Sequence, residues 1–447
     1  MQASNRPAAT AGNQTDIAAL QTRVDAAIIQ AFRDAASFRV SKLEREVLRR
    51  LAGEVAELAA RPSEAEKREL WYRHNALEAT RPLIYCDPEN GWNEIIPPRE
   101  LVCRGQLARR WEMNLRKEIF WGAHMGDDYT IQPYFEVFHV HSGGLEEWGL
   151  KERIIGGEGG GSYRWDAPIK SEEDLEKLHF PKLEVDHEAT CRLLGLAEEV
   201  LGDLLTVRAR TNWWWTLGMT QKAAFLRGLE QMMVDMIDNP GLLHRFMAFL
   251  RDGTLALLDY LEAEGLLSLN NDGAYVGSGG LGWSRELPQS DFAGRVRLCD
   301  MWGFAESQET VGVSPQMFAE FVFPYQLPIL ERFGLNCYGC CEPLDRRWHI
   351  IQGTPKLRRV SISPWANVSR MAEMLQGRYI LSLKPRPSDL AVSSLDEDKI
   401  RAELRETFRI TRNCRVEAIM KDNHTIGNNP QNVIRWCQIA REEAERV

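Results

Sequence analysis

Residues 334–343 read GLNCYGCCEP: a short apolar run opened by glycine, broken by a second glycine, and followed by a pair of cysteines and Glu-Pro. A run of this length, bounded by turn residues, reads as a buried strand. Downstream the same grammar recurs in RRVSIS (358–363) followed by SPWAN, YILSLK (379–384) leading into KPRP, and RVEAIM (415–420) followed by KDNHTIGNN. Each apolar run ends in a polar or proline-rich turn and is separated from the next by a helical pattern. That alternation predicts a parallel sheet with crossover helices.

Working back toward the N-terminus, four further runs fit the pattern: PLIY (82–85), YFEVFHV (134–140), LLTVRAR (204–210) and GLLSLN (265–270). Eight such units predict a (β/α)8 TIM barrel over residues 70–447, with chemistry at the C-terminal ends of its strands. Ahead of it, DIAALQTRVDAAIIQAF and SKLEREVLRRLAGEVAELAA predict an N-terminal helical extension over 16–69, with Ser41 as a helix cap, behind a disordered tail at 1–15. QKAAFLRGLEQMMVDMID and PGLLHRFMAFLRDGTLALLDYLEAEG predict helices, the second stopping at Gly265, and Ser314 is expected to cap another. The glycine-rich stretches 156–164 and 273–283 lack the lysine and hydroxyl of a phosphate loop and are expected to be mobile rims.

The chain has 447 residues, 44% of them hydrophobic and 27% charged, with a formal net charge of −9. This is a globular composition, and its acidity leaves nucleic acid outside the expected partners. No stretch approaches the roughly 18 uninterrupted apolar residues of a membrane span, and no targeting leader is evident, so the expected location is the cytoplasm. Nine cysteines in a reducing compartment read as free thiols or metal ligands.

Thiolates and imidazoles are the ligands that zinc prefers, and a catalytic zinc takes three of them. Cys337, Cys340 and Cys341 supply the sulfurs, and His424, after the eighth run, is the best distant partner, with Glu342, Asp422 and Cys414 in reserve. A single nucleophilic or redox thiol, and plain core packing, are the other readings of the cluster. At the expected mouth, Glu136 and His139 are candidate acid and base, as are Asp300 and Glu306 in CDMWGFAESQE. Arg208, Arg210 and Asn212 alternate toward three tryptophans, of which Trp214 is a candidate binding surface. Asn271 and Lys384 are candidate polar contacts to substrate.

The stretches LRGLEQMMVDMIDNPGLLHRFM (226–247) and VSPQMFAEFVFPYQLPILERFGLNCYGCCEPL (313–344), together with the last three β-runs, resemble the uroporphyrinogen decarboxylase superfamily, in its branch of corrinoid-linked methyltransferases. The resemblance implies a (β/α)8 barrel that transfers a methyl or related alkyl group, binds zinc through a His-x-Cys pair and a later cysteine, and works with a corrinoid (cobalamin) partner protein on a small-molecule donor or acceptor. It also implies a homodimer. In this chain the segment offers Cys337, Cys340 and Cys341 without the histidine, and His424 stands where that branch has a cysteine. A metal-dependent lyase or decarboxylase on a small carboxylated or methoxylated compound, and a non-catalytic subunit of a methyltransferase complex, are the alternatives. DNHTIG (422–427) matches the Asp-x-His-x-x-Gly pattern of corrinoid-binding domains, but only about twenty residues follow it, too few for a domain.

Overall fold

The computed structural model describes residues 38–156 and 163–447. The expected tail at 1–15, the helix predicted over 16–32 and most of the first glycine-rich stretch lie outside the described residues. Ser41 caps the helix Lys42–Ala59 through a capping box with Glu44. Although burial opposes it, hydrogen bonds from the Gly105 and Ser41 amides hold the Glu44 carboxyl down at about 2.

The strands are β1 (Leu83–Cys86), β2 (Tyr134–Val137), β3 (His141–Gly143), β4 (Arg153–Gly156), β5 (Tyr163–Asp166), β6 (Leu183–Val185), β7 (Thr206–Ala209), β8 (Trp302–Ala305), β9 (Leu335–Tyr338), β10 (Leu357–Ile362), β11 (Ile380–Leu383) and β12 (Arg415–Met420). A six-stranded sheet runs in the order β1-β12-β11-β10-β9-β8, and β2 pairs with β7 in a sheet of two. Every pairing in these two sheets is parallel. β1, β9 and β11 are buried at every position, which is why their sequences run apolar without alternation. The remaining strands form two small antiparallel hairpin-like pairs, β3 with β6 and β4 with β5. Among the described residues no ladder joins β2 and β7 to the larger sheet, so the architecture shown is α/β with parallel sheets.

One expected strand is absent. Residues 265–270 are not a strand, and WGFA at 302–305, a run too short and too closely flanked by acids to be picked out, takes a place in the sheet as β8. The physical substitute is Asn270, whose side-chain amide donates to the Trp302 carbonyl at 3.0 Å and accepts from the Trp302 amide at 2.8 Å, doing at the edge of β8 what a neighbouring strand would do. The long predicted helix before residue 238 is two helices, Thr220–Arg227 and Leu229–Asp238, because Gly228 has a φ of +95°. The helix Pro240–Ala263 follows, and the Pro315–Phe321 helix is capped by Ser314.

The second glycine-rich stretch is no mobile rim. Residues 278–284 are buried, the Leu281 and Trp283 carbonyls accept from Asn75, and the Trp302 indole donates to the Gly282 carbonyl at 2.9 Å. At Gly280, with a φ of +103°, a Cβ would lie 2.8 Å from the Glu417 carboxylate and 2.9 Å from the Arg359 guanidinium, so only glycine lets the loop pass.

Those two side chains form a buried ion pair, with Arg359 Nε 2.9 Å from Glu417 Oε1. Ser382 also donates to Glu417 at 2.5 Å, and Lys384 donates to Ser382 at 2.5 Å. Burial pushes the Glu417 carboxyl up, but the Arg359 charge, the His74 hydrogen bond and the Lys384 charge together outweigh it and bring it to about 2. Burial lowers the neighbouring His74, leaving it neutral at pH 7. Because the Glu417 pKa is depressed on folding, its contribution is present above the ordinary glutamate range and is lost as the pH falls toward 2. Arg359→Met strands this carboxylate without its cation and is expected to cost about 3–5 kcal/mol in urea denaturation. A loss below about 1 kcal/mol would show that the pair does not carry the interior.

Candidate functional site

One cavity of about 1010 Å³ opens at the C-terminal ends of the parallel strands. Asp87 and Glu89 follow β1, Glu136 lies on β2, Arg208 lies on β7 with Arg210 just beyond it, and Gln308 follows β8. Cys340 and Cys341 follow β9, Trp365 follows β10, Arg386 follows β11, and Lys421, Asp422 and His424 follow β12. Trp365, 73% exposed, stands at the rim. Strand ends are where parallel sheets leave loop side chains unpaired and free to converge.

The sulfur wall is the most reactive part. Gly339, with a φ of +92°, turns the chain out of β9, so that Cys340 and Cys341 both reach the cavity, Cys340 buried and Cys341 exposed. Their sulfurs are 3.7 Å apart. Lys421 Nζ lies 3.9 Å from Cys340 Sγ and 2.8 Å from Asp422 Oδ1, and Cys341 Sγ lies 3.8 Å from Asp422 Oδ2. The hydrogen bond from the Cys341 thiol, with the Lys421 charge behind it, lowers the Cys340 thiol against the effect of burial. The same bond raises Cys341, so Cys340 is the sulfur of the pair that loses its proton first. Burial disfavours the Lys421 charge, but Cys340, Tyr275 and Asp422 hold it on.

Beside this wall the loops after the first and last strands are tied together. The Asn90 amide donates to the His424 carbonyl at 2.7 Å, Asn423 donates to the Asp87 carbonyl at 2.7 Å, and Glu94 accepts from the Ile426 and Asn428 amides. The ties hold Glu89 and Asp422 at φ values of +48° and +61°, a conformation that costs of order 1–3 kcal/mol per non-glycine residue and persists only where its surroundings enforce it. Burial raises the Asp87 carboxyl and pushes Glu89 up to about 8, so Glu89 carries its proton at neutral pH. Burial likewise puts Glu118 at about 7, where it accepts from the Tyr129 hydroxyl at 2.8 Å. Tyr85, Trp121 and Tyr129 form a stacked aromatic wall, with Trp121 and Tyr129 centroids 4.1 Å apart.

The arginine wall is already neutralised. Arg208 donates to Glu136 and Asp272, and Arg210 donates to the same two carboxylates at 2.9 Å each. Although burial opposes it, Arg210 and Arg208 keep Asp272 ionised.

The cavity therefore gathers Glu136, Arg208, Arg210, Asn212, Cys340, Cys341 and His424. The other residues singled out in the sequence lie elsewhere. Asp300 precedes β8 and sits at its opposite end, capping Arg297 and Gln289. Cys414 likewise precedes β12. Lys384 is buried against Ser382, with burial lowering it to about 8. Asn271 donates to the Leu287 carbonyl, and Trp214 packs on Phe333, leaving Trp215 to line the cavity. His139 bonds Thr211 and packs on Trp213. Glu306 is buried off the cavity, its carboxyl raised by burial and by Glu309 and Glu342.

Nor does the expected metal quartet assemble. Cys337 packs with Val276, Trp302 and Phe304, 3.7 Å from Arg359. The Cys340–Cys341 separation matches two ligands on one tetrahedral zinc, about 3.8 Å for bonds of about 2.3 Å. Yet among the described residues no three His, Cys, Asp or Glu side chains converge as a cage. An ammonium beside Cys340 is also the wrong neighbour for a cation. The residues as placed do not fit zinc.

No family model matches the chain, and no curated protein matches it. Among solved structures, a methyltransferase from Methanosarcina mazei is similar at 13% identity over 84% of this chain and 97% of that one, with a TM-score of 0.47. No helix among the described residues is long and apolar enough to cross a membrane.

Glu89, Lys421 and Glu118 escaped the sequence reading. Lys421 immediately follows RVEAIM, so the strand-end rule that singled out His424 could have found it. Glu118 lies on the helix Gln106–Phe120 and carries no local signal. If the arginine wall is self-neutralised, Glu136→Gln combined with Asp272→Asn should create an anion site. Benzoate binding in the millimolar range or tighter should appear by calorimetry in the double variant and be absent from the wild type. Equal binding by both proteins would show that the arginines are open to ligands already.

Proposed function

We propose that the chain is an alkyl-group transferase, methyl being the simplest cargo, in which the Cys340 thiolate attacks the alkyl carbon of a donor bound in the cavity. The observation that carries this reading is the juxtaposition, at one set of strand ends, of the Cys340 sulfur, the Lys421 ammonium 3.9 Å from it and the Glu89 carboxyl. Thiolates are strong nucleophiles toward carbon once deprotonated. Lys421, 3.9 Å from Cys340, stabilises the anion in the ground state. In the transfer step the sulfur–carbon bond forms, the bond from that carbon to the donor heteroatom breaks, and the departing heteroatom takes the Glu89 proton. Glu89, with a pKa of about 8, is a suitable acid at neutral pH.

No step is routed through zinc, because its ligands do not converge. The corrinoid protein expected from the family resemblance belongs to this reading as the carrier on the other side of the transfer. The six-stranded and two-stranded sheets are read as two arcs of one (β/α)8 barrel spanning residues 70–447. In support, β1 pairs with the last strand, and the cavity draws residues from all the parallel strands. The decarboxylase alternative loses ground to the closed arginine wall, which leaves Arg208 and Arg210 without free charge for a carboxylate.

Purified chain incubated separately with methylcobalamin and with a methoxylated aromatic should gain one methyl, about 14 Da, on the peptide bearing Cys340. Cys340→Ser should abolish the gain from either donor, and Glu89→Gln should slow the gain from the methoxylated aromatic, whose departing oxygen takes the proton, by about 10²-fold or more. Since Glu89 acts protonated, the rate should fall as the pH rises through about 8. Methylation elsewhere, or none with either donor, would defeat the proposal.

A further inference from the structure

Two cysteines adjacent in sequence face one cavity, with a lysine against one sulfur and a carboxylate against the other. We infer that Cys340 and Cys341 form a reversible oxidation site, closed to a disulfide between neighbouring residues by low-molecular-weight disulfides. The inference that closure also silences the transfer site rests on the function proposed above.

Three observations place the chemistry. The sulfurs are 3.7 Å apart, so joining them needs a movement of under 2 Å to the bond length of about 2.05 Å. Both line the cavity, which gives a small disulfide access, and Cys341 is exposed. Lys421 faces Cys340 and Asp422 faces Cys341, at 3.9 and 3.8 Å, so one sulfur is supported as an anion while the other has a carboxylate beside its proton. A thiolate poised beside a resolving thiol is the arrangement of a redox-sensitive pair.

The chemistry balances without any further reagent. Cys340 attacks one sulfur of the small disulfide, forming a mixed disulfide and releasing the first small thiolate. Cys341 then gives up its proton, and its sulfur attacks that of Cys340, releasing the second. Starting from a Cys340 thiolate and a Cys341 thiol, the protein loses two electrons and one proton, and the small disulfide is reduced to one thiol and one thiolate, which takes a second proton from water. Adjacent Cα atoms lie about 3.8 Å apart, below the usual disulfide range of about 4.4–6.8 Å, so the closed bond is strained and readily reduced. Closure removes the anion facing Lys421.

The structure supplies an internal control. Cys86 and Cys437 are also hydrogen-bonded neighbours, but both are fully buried in the apolar core away from the cavity.

The test uses full-length protein with glutathione disulfide and no alkyl donor, followed by denaturation, alkylation of remaining thiols and peptide mass mapping. The expected result is a 340–341 peptide that has lost two hydrogens, about 2 Da, and carries no alkyl label. Cys86 and Cys437 should remain fully labelled, and dithiothreitol should reverse the change. Cys341→Ser should trap glutathione on Cys340, Cys340→Ser should abolish disulfide formation, and Lys421→Met should slow it by about tenfold. Full labelling of both cysteines in the wild type, or a stable glutathione adduct there, overturns the inference. So does an unchanged rate in Lys421→Met. The readout is independent of methylation, so either proposal can fail alone. Loss of alkyl transfer in the oxidised protein, restored by dithiothreitol, links them. Unchanged transfer refutes the link.

Discussion

The structure hangs on the parallel pairing of β1 with β12, Leu83 opposite Glu417 and Cys86 opposite Met420. Over 300 residues separate these strands in sequence, so the ladder forms only after a large loop-closure entropy has been met. The hydrogen bonds of four residue pairs, each worth about 1 kcal/mol net, do not suffice alone. Burial of the apolar faces of both strands, and the side-chain ties from Asn90, Glu94 and Asn423 above them, make the contact cooperative. Through it, Glu89 comes to stand with Lys421, and Lys421 with Cys340.

Alternation along β12 then stacks two charged layers inside the fold. Glu417, Ile419 and Lys421 share one face of the strand. Glu417 meets Arg359 in the lower layer, Lys421 meets the Cys340 sulfur in the upper one, and Ile419 between them abuts Gly279 of the glycine loop. The two layers use the same physics for different ends. Below, a closed loop and full burial leave the ion pair no ligand to meet. Above, the turn at Gly339 opens the sulfurs to the cavity. The arginine wall resembles the lower layer in being charge-balanced while lying in the upper one.

Much of the fold was legible, because parallel strands buried on both faces leave continuous apolar runs and helices leave caps. The runs at 334–339, 358–363, 379–384 and 415–420 became β9 to β12 with boundaries shifted by a residue or so. The run at 265–270 failed since composition cannot tell a strand from an extended segment whose neighbour is bonded by an asparagine side chain. The glycine stretch at 273–283 was misread for a related reason. Glycine permits a mobile loop and a tightly buried one alike, and contacts from distant residues, the Asn75 and Trp302 side chains and the Glu417–Arg359 pair against Gly280, select the second.

The sequence by itself determined where parallel strands would end and that polar residues would cluster there, since period and punctuation are local properties of the chain. It therefore pointed to Cys340, Cys341, His424, Glu136 and the two arginines. Which of those side chains share a cavity, that Cys337 turns into the core, that Asp300 lies at the far end of its strand, and which carboxyls keep their protons were decided by the tertiary structure alone. Electrostatics and burial are properties of neighbours in space, and in this chain the decisive neighbours lie hundreds of residues apart.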